Sequence, residues 1–152
     1  MAMCQQLCSW KCSVRLLRPY RKSHPNVMLG DHRLTFLVVE AEPGQGLSTR
    51  KLLIETAKHN VLTAHTAREG LQMLERFPKV DAIVVDVMLE DMACEEFVKQ
   101  IHHREEGLTV IGITPNEARF ACDGVKYMVN SHDPAELLKL LERLASEGSL
   151  ER

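Results

Sequence analysis

Four short apolar runs in this sequence end on residues able to handle a charge. Glu40 follows "LTFLVV" with Glu42 just beyond it, Asp86 closes "DAIVVD", Thr114 follows "TVIGI" and Asn130 follows "VKYMV". A carboxylate at the mouth of a buried strand loses solvation, so Asp86 calls for a partner or a task. Two glutamates as close as Glu40 and Glu42 either repel, which raises the proton affinity of one, or share a cation. Plainer roles compete for each position. Asp86 could cap the turn that follows, with Glu90 and Asp91 in a solvated bend. Thr114 could bond to local backbone.

These residues are useful only if the chain brings them together. "LTFLVV" (34–39), "VLTAH" (61–65), "DAIVVD" (81–86), "TVIGI" (109–113) and "VKYMV" (125–129) read as buried strands, being short, branched and apolar. Between them, helices are predicted over 47–59, 66–77 and 94–104. Their apolar residues recur at helical spacing: Leu52, Leu53, Thr56 and Ala57, then Ala67, Leu71 and Leu74, then Phe97, Val98 and Ile101. Thr66 and Glu69 form a capping box for the second helix, and Asp133, Pro134 and Glu136 open the last one. Leu137, Leu138, Leu141 and Leu144 supply its apolar face. His102 and His103 fall on the outer part of the third helix and are expected to be solvated.

Strands alternating with helices imply a parallel α/β sheet covered on both sides. One crossover breaks the pattern. Only "PNEARFACDG" (115–124) joins the fourth and fifth strands, so a fourth helix there must be short or missing. In an open parallel sheet the site lies beyond the carboxyl ends of the strands. Glu40, Glu42, Asp86, Thr114 and Asn130 would converge at that rim.

Charge divides the chain. Residues 1–33 carry six basic residues and one acid, whereas the remainder carries 13 basic and 20 acidic residues. A basic, unstructured tail (1–33) is therefore expected ahead of a folded domain (34–146) and a short C-terminal tail (147–152). Cys4, Cys8 and Cys12 would share one face of a helix, but their spacing fits neither zinc nor iron–sulfur patterns. Cys94 and Cys122 read as packing or surface thiols. With no secretory leader and no apolar run long enough to span a membrane, the expected location is the cytoplasm. A basic tail without a folded motif gives little ground for expecting nucleic acid as a partner.

From about residue 34 to 145 the chain resembles the receiver domain of bacterial two-component response regulators. The resemblance rests on "FLVVEAEP", "DAIVVDVMLEDM", "VIGITP" and "YMVNSHDPAELLKLLERL", in that order and context. It implies a flavodoxin-like, doubly wound sheet of five parallel strands in the order 2-1-3-4-5, acting in signalling rather than as an enzyme. In that family a histidine kinase or phosphotransfer protein passes a phosphoryl group to the aspartate at the position of Asp86. Mg2+ held by acids after the first strand assists it. Thr114 matches the switch hydroxyl, Tyr127 the switch aromatic and Glu40 the first metal acid.

Other family positions are altered. The second metal acid is Ala41, with Glu42 badly aimed to replace it, and the family's lysine is Asn130, which brings no charge. Pro115 stands where a backbone N–H should grip the phosphoryl group, and proline has none. Charge-assisted hydrogen bonds contribute roughly 1.5–3 kcal/mol each, so these losses should weaken phosphoryl capture and leave a poor Mg2+ site at Glu40, Glu42 and Asp86.

Two functions follow from the resemblance. One is a stand-alone receiver in a phosphorelay, with Asp86 as phosphoacceptor and output by protein contact. The other is a phosphorylation-independent pseudo-receiver that binds a partner through a fixed surface. An aspartate-nucleophile phosphatase is a remote third, because it would want a second aspartate where Met88 stands.

Overall fold

The computed structural model describes residues 33–41, 48–115 and 122–148. The tail with Cys4, Cys8 and Cys12, and Glu42 in the first loop, lie outside the described residues. The elements run β1 (Thr35–Val39), α1 (Thr49–Thr56), β2 (Asn60–Ala64), α2 (Ala67–Arg76), β3 (Ala82–Asp86), α3 (Cys94–Arg104), β4 (Thr109–Thr114), β5 (Tyr127–Asn130) and α4 (Pro134–Gly148). All five strands are parallel and ordered β2-β1-β3-β4-β5, the doubly wound topology expected. Among the described residues no helix separates β4 from β5.

Alternation along the strands explains the two layers. Leu37, Val39, Ile83, Val85 and Val110 point to one face, where they pack with Leu71 of α2 and Phe97, Val98 and Ile101 of α3. Phe36, Val38, Val84, Ile111, Ile113 and Val129 point to the other, under Ile54 of α1 and Leu137, Leu140 and Leu141 of α4. A strand buried on both faces must be apolar at every position, which is why β1 and β3 read as unbroken runs. Gly112 of β4 has a particular reason. A Cβ there would stand 2.6 Å from the Met128 sulfur and 3.2 Å from Val125, which cover this stretch of sheet.

Several local expectations need correction. In α1 the buried residue is Ile54, and Leu52 is 43% exposed, because the helix turns Leu53 and Ile54 toward the sheet. β5 starts at Tyr127, since Val125 closes a turn by donating to the Cys122 carbonyl at 3.1 Å. Thr66 caps α2 as expected, accepting from Glu69 N at 3.1 Å, while the Glu69 carboxylate accepts from His65 N instead of the cap residue. Asp133 caps α4, but Glu136 accepts from Asn130 N at 3.0 Å and so ties the helix to the end of β5.

Asp91 lies in an exposed bend, as expected, and it also has fixed partners. Its two carboxylate oxygens accept from Ala67 N at 2.9 Å and Arg68 N at 3.1 Å, satisfying the first free donors of α2 from a distant loop. His102 is half-buried, with Nε2 3.3 Å from the Leu108 carbonyl, and only His103 is exposed.

Candidate functional site

The rim is assembled by sheet register. Asp86 ends β3 beside Ile113, and Thr114 ends β4 beside Asn130 of β5. Glu40 is held just past β1 by its backbone N–H, which donates to the Ala64 carbonyl at 3.1 Å. The sheet thus brings together Glu40, Asp86, Thr114 and Asn130 as expected.

The decisive residue was not among them. Arg50, in the first turn of α1, reaches over the rim, donating through Nη1 to Glu40 Oε2 and through Nη2 to Asp86 Oδ2 at 3.1 Å. Glu40 is only 6% exposed, so its charge needs this partner. The fork of a guanidinium suits the task, because its two amino groups can serve two carboxylates at once. A cation so near a helix N-terminus is disfavoured by the helix dipole, and the two acids compensate for that position. α1 has no acid in its first turn to hold Arg50 locally. An arginine at that place in an acid-rimmed sheet was the available signal.

The second Asp86 oxygen, Oδ1, accepts from Met88 N at 3.0 Å. Asp86 therefore caps the following turn and is ion-paired as well. Met88 presents its side chain to solvent, 56% exposed, and supplies no second carboxylate.

The other side of the rim is closed by local bonds. Asn130 Oδ1 accepts from His132 N at 2.8 Å, and the Asn130 carbonyl accepts from Asp133 N at 3.1 Å. Its side-chain oxygen is thus engaged in shaping the β5–α4 turn. Thr114 is fully buried, and its carbonyl accepts from Ser131 N at 2.9 Å. Pro115 is exposed and has no N–H to offer. Tyr127 is half-buried against the core, with the Arg143 guanidinium 4.8 Å and Lys126 Nζ 5.4 Å from its ring centre. Between α1 and the β5–α4 turn lies a cavity of about 340 Å³, walled by Glu40, Arg50, Asn130 and Ser131 over Leu53 and Leu137.

A five-stranded sheet in this order, with an aspartate closing the central strand, defines a doubly wound fold of receiver type. The family model of the response regulator receiver domain matches residues 36–141, and the chain belongs to that family. Receiver domains serve signalling. Solved structures agree on the fold. A response regulator receiver domain protein from Clostridium thermocellum is 19% identical over 78% of this chain and 99% of its own, with a TM-score of 0.65. A CheY-like receiver from Methanospirillum hungatei JF-1 is 23% identical over 79% of this chain and 99% of its own, also at 0.65. The receiver domain of the sensor histidine kinase PA1611 from Pseudomonas aeruginosa PAO1 is 20% identical over 75% and 98%, at 0.66. That structure has a magnesium ion coordinated in its active-site cleft. No curated protein matches the sequence.

Magnesium does not fit the residues described here. Its oxygen ligands would have to come from Glu40 and Asp86, both engaged by Arg50, and from position 41, which is a methyl group. Among the described residues no group of three or more His, Cys, Asp or Glu side chains is placed to hold a metal ion. Nor, among them, is any helix long and apolar enough to cross a membrane.

Proposed function

We propose that this receiver domain is a phosphorylation-independent interaction module, a pseudo-receiver whose rim is held in one arrangement by Arg50. The observation that carries this reading is the engagement of both Asp86 oxygens, one by the Arg50 guanidinium and one by Met88 N–H. A carboxylate attacks phosphorus through a free lone pair, with cations gathered on the phosphoryl oxygens. Here the adjacent cation is already neutralised by two acids, Asn130 supplies no charge and Pro115 no donor. Output would then come from protein contact in the cytoplasm, without a histidine kinase setting the state.

One observation favours a second reading. The Asp86 side chain is 24% exposed, so a phosphoryl donor can approach it. In that case a histidine kinase or phosphotransfer protein would load Asp86 slowly, after Arg50 swings aside. Acetyl phosphate with Mg2+, followed by intact-mass measurement, separates the two. The pseudo-receiver predicts no phosphoryl adduct under conditions that label an ordinary receiver. An adduct that vanishes in Asp86→Asn would establish the second reading instead.

A further inference from the structure

The turn that leads into β5 lies along α3. Gly124 has φ +86°, and a Cβ there would come within 2.8 Å of Val98 and 3.1 Å of His102. This close approach and the left-handed backbone both require glycine. Val98 and His102 follow Cys94 at intervals of four, so the three residues form one stripe on the helix. Cys122 begins the same turn, whose carbonyl accepts from Val125 N at 3.1 Å. The turn covers the stripe and sets Cys122 against Cys94, the first residue of α3. The two thiols lie close enough for each to alter the other's proton affinity. Both are free and half-buried, and both pack against the core between α3 and the sheet.

We propose that Cys94 and Cys122 form an oxidisable dithiol, a modification site at which a disulfide clips the β4–β5 connection to the start of α3. The inference does not depend on whether Asp86 accepts a phosphoryl group. Hydrogen peroxide is the oxidant class that suits it. Cys122 Sγ attacks one peroxide oxygen, the O–O bond breaks, and one water leaves as Cys122 becomes a sulfenic acid. The Cys94 sulfur then attacks the Cys122 sulfur, displacing the second oxygen as water and forming the S–S bond. Two thiols and one peroxide yield one disulfide and two waters. Cys122 is the thiol that attacks first, because Cys94 opposes the rise that burial gives the Cys122 thiol, whereas Cys122 adds to the rise at Cys94. Burial holds both thiols mostly protonated, so the pair is reduced at rest and responds slowly.

The bond would join positions flanking the site. Cys94 follows the loop that leaves Asp86, and Cys122 ends the segment that leaves Thr114. Closing it would tie the turn that leads into β5 to the first residue of α3.

The test uses the full-length chain with Cys4, Cys8 and Cys12 replaced by serine, so that two thiols remain. After hydrogen peroxide, intact mass should show the loss of two hydrogens, and a digest without reductant should contain a Cys94–Cys122 cross-linked peptide that dithiothreitol removes. Cys94→Ser should instead leave a sulfenic acid on Cys122, trapped by dimedone. Independent over-oxidation of the two thiols with no cross-linked peptide, or cross-links only between molecules, would overturn the proposal.

Discussion

Arg50 and Asp86 meet across the mouth of the sheet, Nη2 donating to Oδ2 at 3.1 Å. Through that bond and its companion to Glu40, α1 is joined to the ends of both β1 and β3. A divalent ion at the same place would keep waters and exchange them for phosphoryl oxygens. A guanidinium satisfies the carboxylates with fixed, directional bonds and leaves no ligand to exchange. Under the proposed pseudo-receiver reading, the rim holds a shape where an ordinary receiver's changes occupancy.

Removing the cation should be costly. In Arg50→Ala the Glu40 carboxylate stays buried without its partner, and an unsatisfied buried charge costs about 1–3 kcal/mol or more. We expect urea unfolding to shift by about 2 kcal/mol, with Arg50→Lys recovering only part, since an ammonium lacks the fork to serve both acids. A midpoint unchanged in Arg50→Ala would mean that the ion pairs contribute nothing to stability.

The disagreement with magnesium has a constructive counterpart. Replacing Ala41 by Asp restores an oxygen ligand, and replacing Arg50 by Ala in the same chain frees Glu40 and Asp86. Calorimetric titration with Mg2+ should show binding to the double variant and none to the wild type at the same concentrations. Ala41→Asp alone should bind poorly, because Arg50 still occupies both acids. Equal Mg2+ affinity in the wild type and the double variant would refute the role given to Arg50.

The architecture could be read in the sequence because burial on both faces leaves a strong mark. "LTFLVV", "DAIVVD" and "TVIGI" have no other economical explanation than central parallel strands, and their carboxyl ends locate Glu40, Asp86 and Thr114. Arg50 was not read, since its role depends on an inter-element distance that no periodicity encodes. The same holds for Asp91, whose partners Ala67 and Arg68 lie more than twenty residues away. Capping was legible where it was local, at Thr66 and Asp133, and misassigned where the acid reaches elsewhere, as Glu136 does to Asn130 N.

Asp91 fastens the loop after β3 onto α2. Asp91→Ala removes both acceptors from the first turn of that helix and a negative charge from its positive end. Loss of a capping acceptor typically costs about 1 kcal/mol. Amide hydrogen exchange at residues 67–69 should quicken in the variant while α4 amides stay protected relative to it. Uniform acceleration throughout the domain would show that the effect is global, not a lost cap.

Restoring the family's lysine should not by itself restore reactivity. Asn130→Lys deletes the acceptor of His132 N and places a second cation on the cavity that Arg50 already lines. We expect about 1 kcal/mol of destabilisation from the lost turn bond. Acetyl phosphate should still give no adduct by intact mass. Labelling of this single variant would locate the defect at position 130 and not at Arg50.

The thiol pair adds a dependence on pH. Burial, above all, pushes the Cys94 thiol well above the usual thiol range, with the Cys122 thiol and the Glu95 and Asp86 carboxylates acting in the same direction. Cys122 is also raised, by burial and by Glu95 and Asp123, although the neighbouring Cys94 thiol opposes this. A thiol whose folded pKa exceeds its unfolded one binds its proton more tightly in the native state. Its stabilising contribution is complete below the unfolded pKa and declines as pH climbs toward the folded one. The reduced chain should therefore lose stability as pH rises past the unfolded thiol value of about 8.5, and Cys94→Ser should lose less because its hydroxyl does not titrate there. Thermal unfolding in dithiothreitol measures both slopes, and identical slopes would show that Cys94 titrates as it does in the unfolded chain.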